Sequence, residues 1–312
     1  MELSFAWRMS GVLRVALLDL LVERAEFGHG GNVEILTPLV KRFSEVEVFL
    51  LTPQFQSDEV GKRALGSAHA SPVMLAHEDV PTWDDDFPFV AEPSAPELEL
   101  LGEVKLRRVA LPTTDDLGMV AWLAANSVDA VICSGSRSNV SMWDSWMDTA
   151  ASVMSASVAL GLPTLGICFG HQLLCKALGG EVVRAESRTD SVVELALSEA
   201  GRRDVIFSQL ENPICLFTHQ DHVVQIPSSC VVLGAAPHNS LASVRIHDEM
   251  GVALPAWGLQ FHPEAAKKRI ERSVKLGHIS AEEAKAFKQE HDGAAILANF
   301  ADVILSVNNN HS

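Results

Sequence analysis

The chain has 312 residues, 47% of them hydrophobic and 21% charged, enough to bury a substantial core as one large α/β domain or two ordinary ones. Its formal net charge of −16 serves solubility and argues against nucleic acid or an anionic membrane as the main partner, since both reward basic patches. Five cysteines, Cys133, Cys168, Cys175, Cys215 and Cys230, form no CxxC pair, which argues against a disulfide scaffold or a zinc site and points to reduced thiols in the cytoplasm.

The first apolar run, VLRVALLDL (12–20), reads as a buried strand. Across residues 1–23 Arg14, Asp19 and Glu23 break the apolar part, and no small-residue cleavage pattern is present, so the stretch does not read as a signal peptide. No run approaches the roughly 18 apolar residues of a membrane span. NVEILTPLVKRF (32–43) has helical spacing behind Gly30 and Gly31, and VEVFLLTP (46–53) is the next strand. Residues 64–104 contain no Lys or Arg but nine acids and five prolines. This segment reads as an acidic insertion with little regular structure, either a solvated loop or a lid or docking surface.

Beyond it, DDLGMVAWLAANS (115–127) reads as a helix opening on acids, and DAVICSGS (129–136) as a strand ending in a small-residue loop. A helix follows over 142–160, then the strand PTLGIC, then a helix over 170–178. Such alternation implies a largely parallel sheet covered on both faces, a three-layer α/β sandwich. After Gly180 the texture changes. EVVRA, SVVELALS, ICLFTHQDHVVQI, CVVLGAA, LASVRI and AWGLQFH predict a mixed or antiparallel extension of that sheet. Helices are expected again over 265–276 and 281–307, a C-terminal helical extension of one domain, with a frayed tail at 308–312.

The chemistry concentrates around Cys168. In TLGICFGHQLL a strand ends at the cysteine and a helix starts straight after it, so the helix N-terminus brings positive potential and free N–H groups to the sulfur. Gly166 and Gly170 leave room for the sharp turn, as glycines do around the nucleophile of serine hydrolases. The backbone N–H of Phe169 would point at a developing oxyanion. A base is then needed. GLQFHPE (258–264) delivers His262 at the end of an apolar strand, and Glu264 can accept the second imidazole N–H. A lone histidine there would read as a surface residue; a cysteine elbow and a carboxylate in the same chain favour a nucleophile–base–orienter set. Cys175, two helical turns beyond Cys168, reads as packing.

Together GICFGHQ and GLQFHPE resemble the class I glutamine amidotransferases, the triad type with a Cys-His-Glu site, and among them stand-alone GMP-synthase-like glutaminase domains. The resemblance runs from about Val128 to Glu264 and implies a flavodoxin-like fold. It implies Cys168 as nucleophile, His262 as base and then acid, and Glu264 as orienter. In that family the cysteine attacks the side-chain amide of glutamine, a γ-glutamyl thioester forms, ammonia leaves, and water releases glutamate. ICSGSRSNV (132–140) is similar to the family's loop after the fourth strand, which implies the backbone N–H of Ser136 as the second oxyanion donor and Gly135 beside it as a substrate-binding residue. Arg137 stands where the family usually has proline. FTHQDHVVQIP (217–227) is similar to the segment bordering the glutamine pocket, which implies substrate contacts at Thr218, His219 and Asp221, with a structural role for His219 equally open. Gln172 matches the family's pocket glutamine. The glutamate-glycine element that many members carry has no counterpart in RAESRTDSVVEL.

No metal or organic cofactor is required by this chemistry. The chain has neither a P-loop nor an S-G-G-x-D-S signature. The resemblance therefore implies a glutaminase that supplies ammonia to a separate ATP-dependent synthetase chain. The alternative is a free-standing γ-glutamyl amide or peptide hydrolase using the same three residues. A binding module on this fold is disfavoured because all three are present.

Overall fold

The structure is a computed structural model that describes residues 9–21, 25–52, 103–112, 114–277 and 279–310. All but the last two residues of the acidic segment 64–104 lie outside the described residues; Glu103 and Val104 open a strand.

In chain order the first half contains β1 (Met9–Leu18), α1 (Ala25–Val40), β2 (Phe43–Thr52), β3 (Glu103–Ala110), α2 (Asp116–Ala125), β4 (Ala130–Cys133), α3 (Trp146–Ala159), β5 (Thr164–Ile167) and α4 (Phe169–Ala177). The second half contains β6 (Glu181–Glu194), β7 (Ala196–Leu197), α5 (Glu199–Arg203), β8 (Ile214–Gln225), β9 (Cys230–Ala236), β10 (Asn239–His247), β11 (Ala253–Leu259), α6 (Lys267–Lys275) and α7 (Gly293–Asn310).

Among the described residues, one nine-stranded sheet has the order β3-β2-β1-β4-β5-β11-β10-β9-β7. Strands β3 through β11 in that order pair in parallel, and β10, β9 and β7 add antiparallel pairs. The period of two along β1 divides the core. Leu13, Val15 and Leu17 pack on one face with Leu36, Leu39, Phe300 and Ile304. Ala16 and Leu18 pack on the other with Met119, Leu123, Val153 and Leu173. Both faces are thus covered, as the apolar strands require. From β1 the order runs outward through β2 and β3 on one side and through β4 and β5 on the other. The C-terminal ends of β1 and β4 therefore flank a switch point, where open α/β sheets place their sites.

Several expected boundaries move. The helix expected over 32–43 runs instead from Ala25 to Val40, with Pro38 inside it. Its early turns carry Gly28, whose side-chain position lies against the Leu21 backbone at 3.1 Å, so close packing outweighs glycine's poor propensity there. Phe43 opens β2 because it pairs with Met9. The helix expected from Met142 begins at Trp146, where Asp144 accepts the Ser145 N–H at 2.6 Å and its carbonyl accepts the Met147 N–H at 2.9 Å. The strands after Gly180 only partly extend the sheet. β6 and β8 leave it and form a separate antiparallel pair of long strands.

The helix expected over 281–307 is split. Ser280 and Glu283 cap a short 3-10 turn over Glu283–Ala286. A new start then forms where His291 Nδ1 accepts the Gly293 N–H and the Asp292 carbonyl accepts the Ala295 N–H. Residues 308–310, expected to fray, continue α7, while 311–312 lie outside the described residues. Among the described residues no helix is long and apolar enough to cross a membrane.

Candidate active site

Cys168 is the hinge between β5 and α4. Its φ is +51° and its ψ −99°, a backbone conformation that a side-chain-bearing residue adopts only under tertiary constraint. The constraint is visible on both sides. Cys168 N–H donates to the Leu259 carbonyl at 2.7 Å, and the Cys168 carbonyl accepts from Gln172 at 3.1 Å. Gly170 must be glycine for α4 to sit this close to the sheet, since a Cβ there would lie 2.4 Å from the Cys133 carbonyl oxygen. Phe169 is the first residue of α4, so its N–H has no acceptor within the helix.

β11 runs parallel to β5 with Leu259 opposite Ile167, so the chain leaving β11 passes beside the cysteine. His262 is fixed there by its N–H, which donates to Leu216 on β8 at 2.8 Å. His262 Nδ1 contacts Glu264 Oε1 at 2.8 Å, and Nε2 is buried with no partner other than the Cys168 sulfur beside it. Burial pulls the imidazole pKa down. The Cys168 and Glu264 charges and their hydrogen bonds outweigh it and hold His262 well above the usual 6.5. Burial likewise pushes the Glu264 carboxyl up, but His262 and Arg269 bring it below its ordinary value. Arg269, buried on α6, donates from Nε to the Glu264 carbonyl at 3.0 Å. The sulfur, ring and carboxylate therefore form one electrostatically coupled set.

The loop after β4 lies under the imidazole. A Cβ on Gly135 would come within 2.8 Å of His262 Cε1, so this position has to be glycine for the ring to sit where it does. Ser134 Oγ and Ser136 Oγ donate to the Leu18 and Leu20 carbonyls at 2.8 and 3.1 Å, which ties this loop to the end of β1.

From β8, the Thr218 carbonyl lies 3.8 Å from Cys168 Sγ, while its hydroxyl donates to Asp190 at 2.6 Å. His219 Nδ1 donates to the Asp221 carbonyl at 2.9 Å; burial is the main cause that pushes this histidine down to about 4, so it is neutral at physiological pH. Asp221 Oδ2 accepts the Ser141 N–H at 2.7 Å. Gln172 Nε2 donates to the Asp221 carbonyl at 2.7 Å and to Gln260 Oε1 at 3.2 Å, bracing α4 against β8 and the residue that follows β11. Asp221 Oδ1 and His219 Nε2 remain buried without a hydrogen-bond partner.

All residues singled out from the sequence line a single cavity of about 580 Å³: Cys168, His262, Glu264, Phe169, Gly135, Ser136, Gln172, Thr218, His219 and Asp221. Sequence reasoning did not find Arg184, Arg188, Asp190 or Arg269, which share its walls. Arg188 Nε donates to Asp190 at 3.0 Å. Nothing in the spacing of RAESRTDS marks these side chains, because only the β6–β8 register sets Asp190 opposite Thr218 and Arg184 opposite Asp221. Cys175 is buried on α4, and its hydrogen bond to Cys230 and its burial keep the thiol protonated.

Residues 98–275, more than half of the chain, match the profile of the family described as glutamine amidotransferase class-I. One subunit of the glutamine-hydrolyzing GMP synthase of Methanothermobacter thermautotrophicus is 36% identical over 111 residues, covering 35% of this chain and 55% of that protein. The corresponding subunit from Pyrococcus abyssi is 38% identical over 106 residues, covering 34% and 52%. The chain thus spans about half the length of these curated relatives. A solved structure of a glutamine amidotransferase from Methylobacillus flagellatus aligns with a TM-score of 0.48 at 17% identity, covering 72% of this chain and 88% of that one.

Proposed function

This chain belongs to the class-I glutamine amidotransferases, and from that premise we propose that it hydrolyses the side-chain amide of L-glutamine and passes the ammonia to a synthetase on a separate chain. The observation that carries the proposal is the placement of Cys168. It sits at a positive-φ turn ahead of α4, in the same cavity as the His262–Glu264 pair. The relatives named as glutamine-hydrolyzing GMP synthase subunits support the same direction. Five buried free cysteines support a reducing, cytoplasmic setting.

In this reading the Cys168 thiolate adds to the amide carbon. The oxyanion takes hydrogen bonds from the backbone N–H groups of Phe169 and Ser136. Protonated His262 gives its proton to the amide nitrogen, the C–N bond breaks, and ammonia leaves a γ-glutamyl thioester. His262 then takes a proton from water while the hydroxide adds to the thioester carbonyl. The C–S bond breaks, glutamate leaves, and the thiolate–imidazolium pair is restored. Glu264 holds the ring so that Nε2 faces the sulfur throughout. Asp221, with its unpaired Oδ1, takes the substrate's α-ammonium, beside Gln172, Thr218 and His219.

The test is ammonia release from L-glutamine by the purified chain beside a Cys168→Ala control. Cysteine-dependent release is expected, with the variant slower by at least about 10⁴-fold at an unchanged melting temperature. A chain that stays silent alone should still be alkylated at Cys168 by a chloroketone analogue of glutamine, protectably by glutamine. The absence of both turnover and protectable alkylation would overturn the proposal.

A further inference from the structure

Glu264 makes one hydrogen bond, from Oε1 to His262, and its Oε2 is buried with no hydrogen bond from a described residue. No second hydrogen bond fixes the carboxylate, so the backbone of residues 262–265 sets where Glu264 meets the imidazole. That backbone is held carbonyl by carbonyl. The His262 carbonyl accepts the Ala265 N–H at 3.3 Å, which closes the turn, and the Glu264 carbonyl accepts Arg269 Nε at 3.0 Å. The Ala265 carbonyl accepts His291 Nε2 at 2.9 Å. Facing a carbonyl, Nε2 donates; facing the Gly293 N–H at 3.0 Å, Nδ1 accepts. Both ring nitrogens of His291 are thereby committed. Gly293 meets the same turn directly, since a Cβ there would overlap the Pro263 carbonyl oxygen.

The far side of this contact is anchored. Asp292 exchanges two hydrogen bonds with Ile214 at the start of β8: its N–H donates to the Ile214 carbonyl at 2.9 Å, and its Oδ2 accepts the Ile214 N–H at 2.7 Å. From Gly293, α7 runs on into the core through Ile296, Phe300 and Ile304. β8 in turn holds His262 through the Leu216 carbonyl. The turn is thus clamped between β8 and the start of α7. His291, Asp292 and Gly293 lie beyond the residues that match the family. His291 is absent from the cavity wall, so it reaches the chemistry only through that turn.

Resting on the triad reading above, we infer that His291 is a positioning residue for the Cys168–His262–Glu264 set, holding Glu264 in reach of His262 through the Ala265 carbonyl. It touches no substrate and moves no proton of the reaction. Its work is to keep the turn within the roughly 0.5 Å tolerance that a catalytic constellation needs, from a helix seated in the main core.

Two substitutions separate this role from packing. His291→Asn keeps an acceptor for the Gly293 N–H, and with it the start of α7, but is too short to reach Ala265. His291→Gln carries an amide N–H where Nε2 stood and keeps the Ala265 bond. On the full chain, kcat for L-glutamine should fall by about tenfold to a hundredfold in His291→Asn with KM within about twofold, and return to within about threefold of wild type in His291→Gln. Proton NMR gives a reading that needs no turnover. The low-field signal of His262 Nδ1–H in its bond to Glu264, assigned by its shift in Glu264→Gln, should move upfield in His291→Asn and stay in place in His291→Gln. Wild-type kcat in His291→Asn, or an unmoved signal, overturns the inference, and so does an equal loss in both variants. Should His291→Asn fail to fold, Gly293→Ala reads the clamp from its other contact, and an unmoved signal there overturns the inference. A wild-type chain silent toward glutamine and its chloroketone fails the proposed function alone, because the signal still reports the clamp. A wild-type chain without the signal fails both.

Discussion

Trp257 and Glu264 lie on the same short run of chain, yet each belongs to a carboxylate cluster of opposite design. Trp257, within β11, donates from its indole N–H to Asp204 at 2.9 Å. The same oxygen of Asp204 accepts the Ile206 N–H at 3.0 Å, and the other oxygen accepts Arg245 at 2.9 Å, with the Arg245 guanidinium 4.6 Å from the Trp257 ring centroid. Both oxygens of Asp204 are used. Glu264, just past the strand, commits one oxygen to His262 and leaves the other buried with no hydrogen bond from another residue. A saturated carboxylate cements strands and loops. An undersaturated one keeps a charge aimed at a ring that, in the proposed cycle, gives and takes a proton. Burial is common to both, so burial does not mark the working group; the unfinished hydrogen bonding does.

The largest expected effect breaks the saturated cluster. Asp204→Ala strands the Trp257 and Ile206 N–H groups and leaves Arg245, which is largely buried, without its acid. The loss should be about 3–5 kcal/mol of folding stability, read from chemical denaturation. Catalysis per folded molecule should stay as it was, because Asp204 is absent from the cavity wall. A variant with wild-type stability would show that the saturation is incidental.

Gly135→Ala tests the other cluster without touching its charges. The added methyl would sit 2.8 Å from His262 Cε1, so the ring has to move by a fraction of an ångström to an ångström. Displacement on that scale should slow turnover by about a hundredfold, while the melting temperature barely changes. Activity equal to wild type would mean that the ring position is looser than the packing indicates.

These two clusters also show what the sequence could and could not disclose. GICFGHQ announces its turn through local rules: an apolar strand, flanking glycines and an immediate helix start, and the chain does turn at Cys168. GLQFHPE is legible for the same reason, since strand, histidine and carboxylate are neighbours in the chain. Asp204 meets Trp257 and Arg245 only through strand order, and Asp190 meets Thr218 only through the β6–β8 register. Such meetings leave no trace in spacing. The same limit explains why residues 281–307, which read as one helix, form a short 3-10 turn and then α7. Periodicity carries across residues 281–307, but Ser280, His291 and Asp292 offer side-chain and backbone acceptors that stop and restart the chain. The missed separation of β6 and β8 from the main sheet is of this kind too, because alternation specifies a strand and not its partner.

Glu264→Gln is the finest probe of the contrast. Two influences hold His262 above 6.5, and the Cys168 charge is the larger; Glu264 adds to it. Removing the Glu264 charge therefore lowers the His262 pKa but leaves the larger influence in place, and turnover should fall by only about tenfold, below the usual 10²–10⁴ of a group that itself moves the proton. The sign on the pH axis follows from which form works. In the proposed cycle acylation needs His262 protonated, so activity should persist as pH rises through 6.5 and be lost only at the raised value. In Glu264→Gln that alkaline limb of kcat/KM should move to lower pH. Folding stability should move with it. The part contributed by protonated His262 is fully present below its unfolded value near 6.5 and disappears as pH rises through the folded one, so in the variant it disappears earlier. A limb that stays put while kcat drops would mean that Glu264 acts on the ring's orientation and not on its charge. In that case its unpaired oxygen would say nothing about proton affinity, and the contrast with Asp204 would be one of geometry alone.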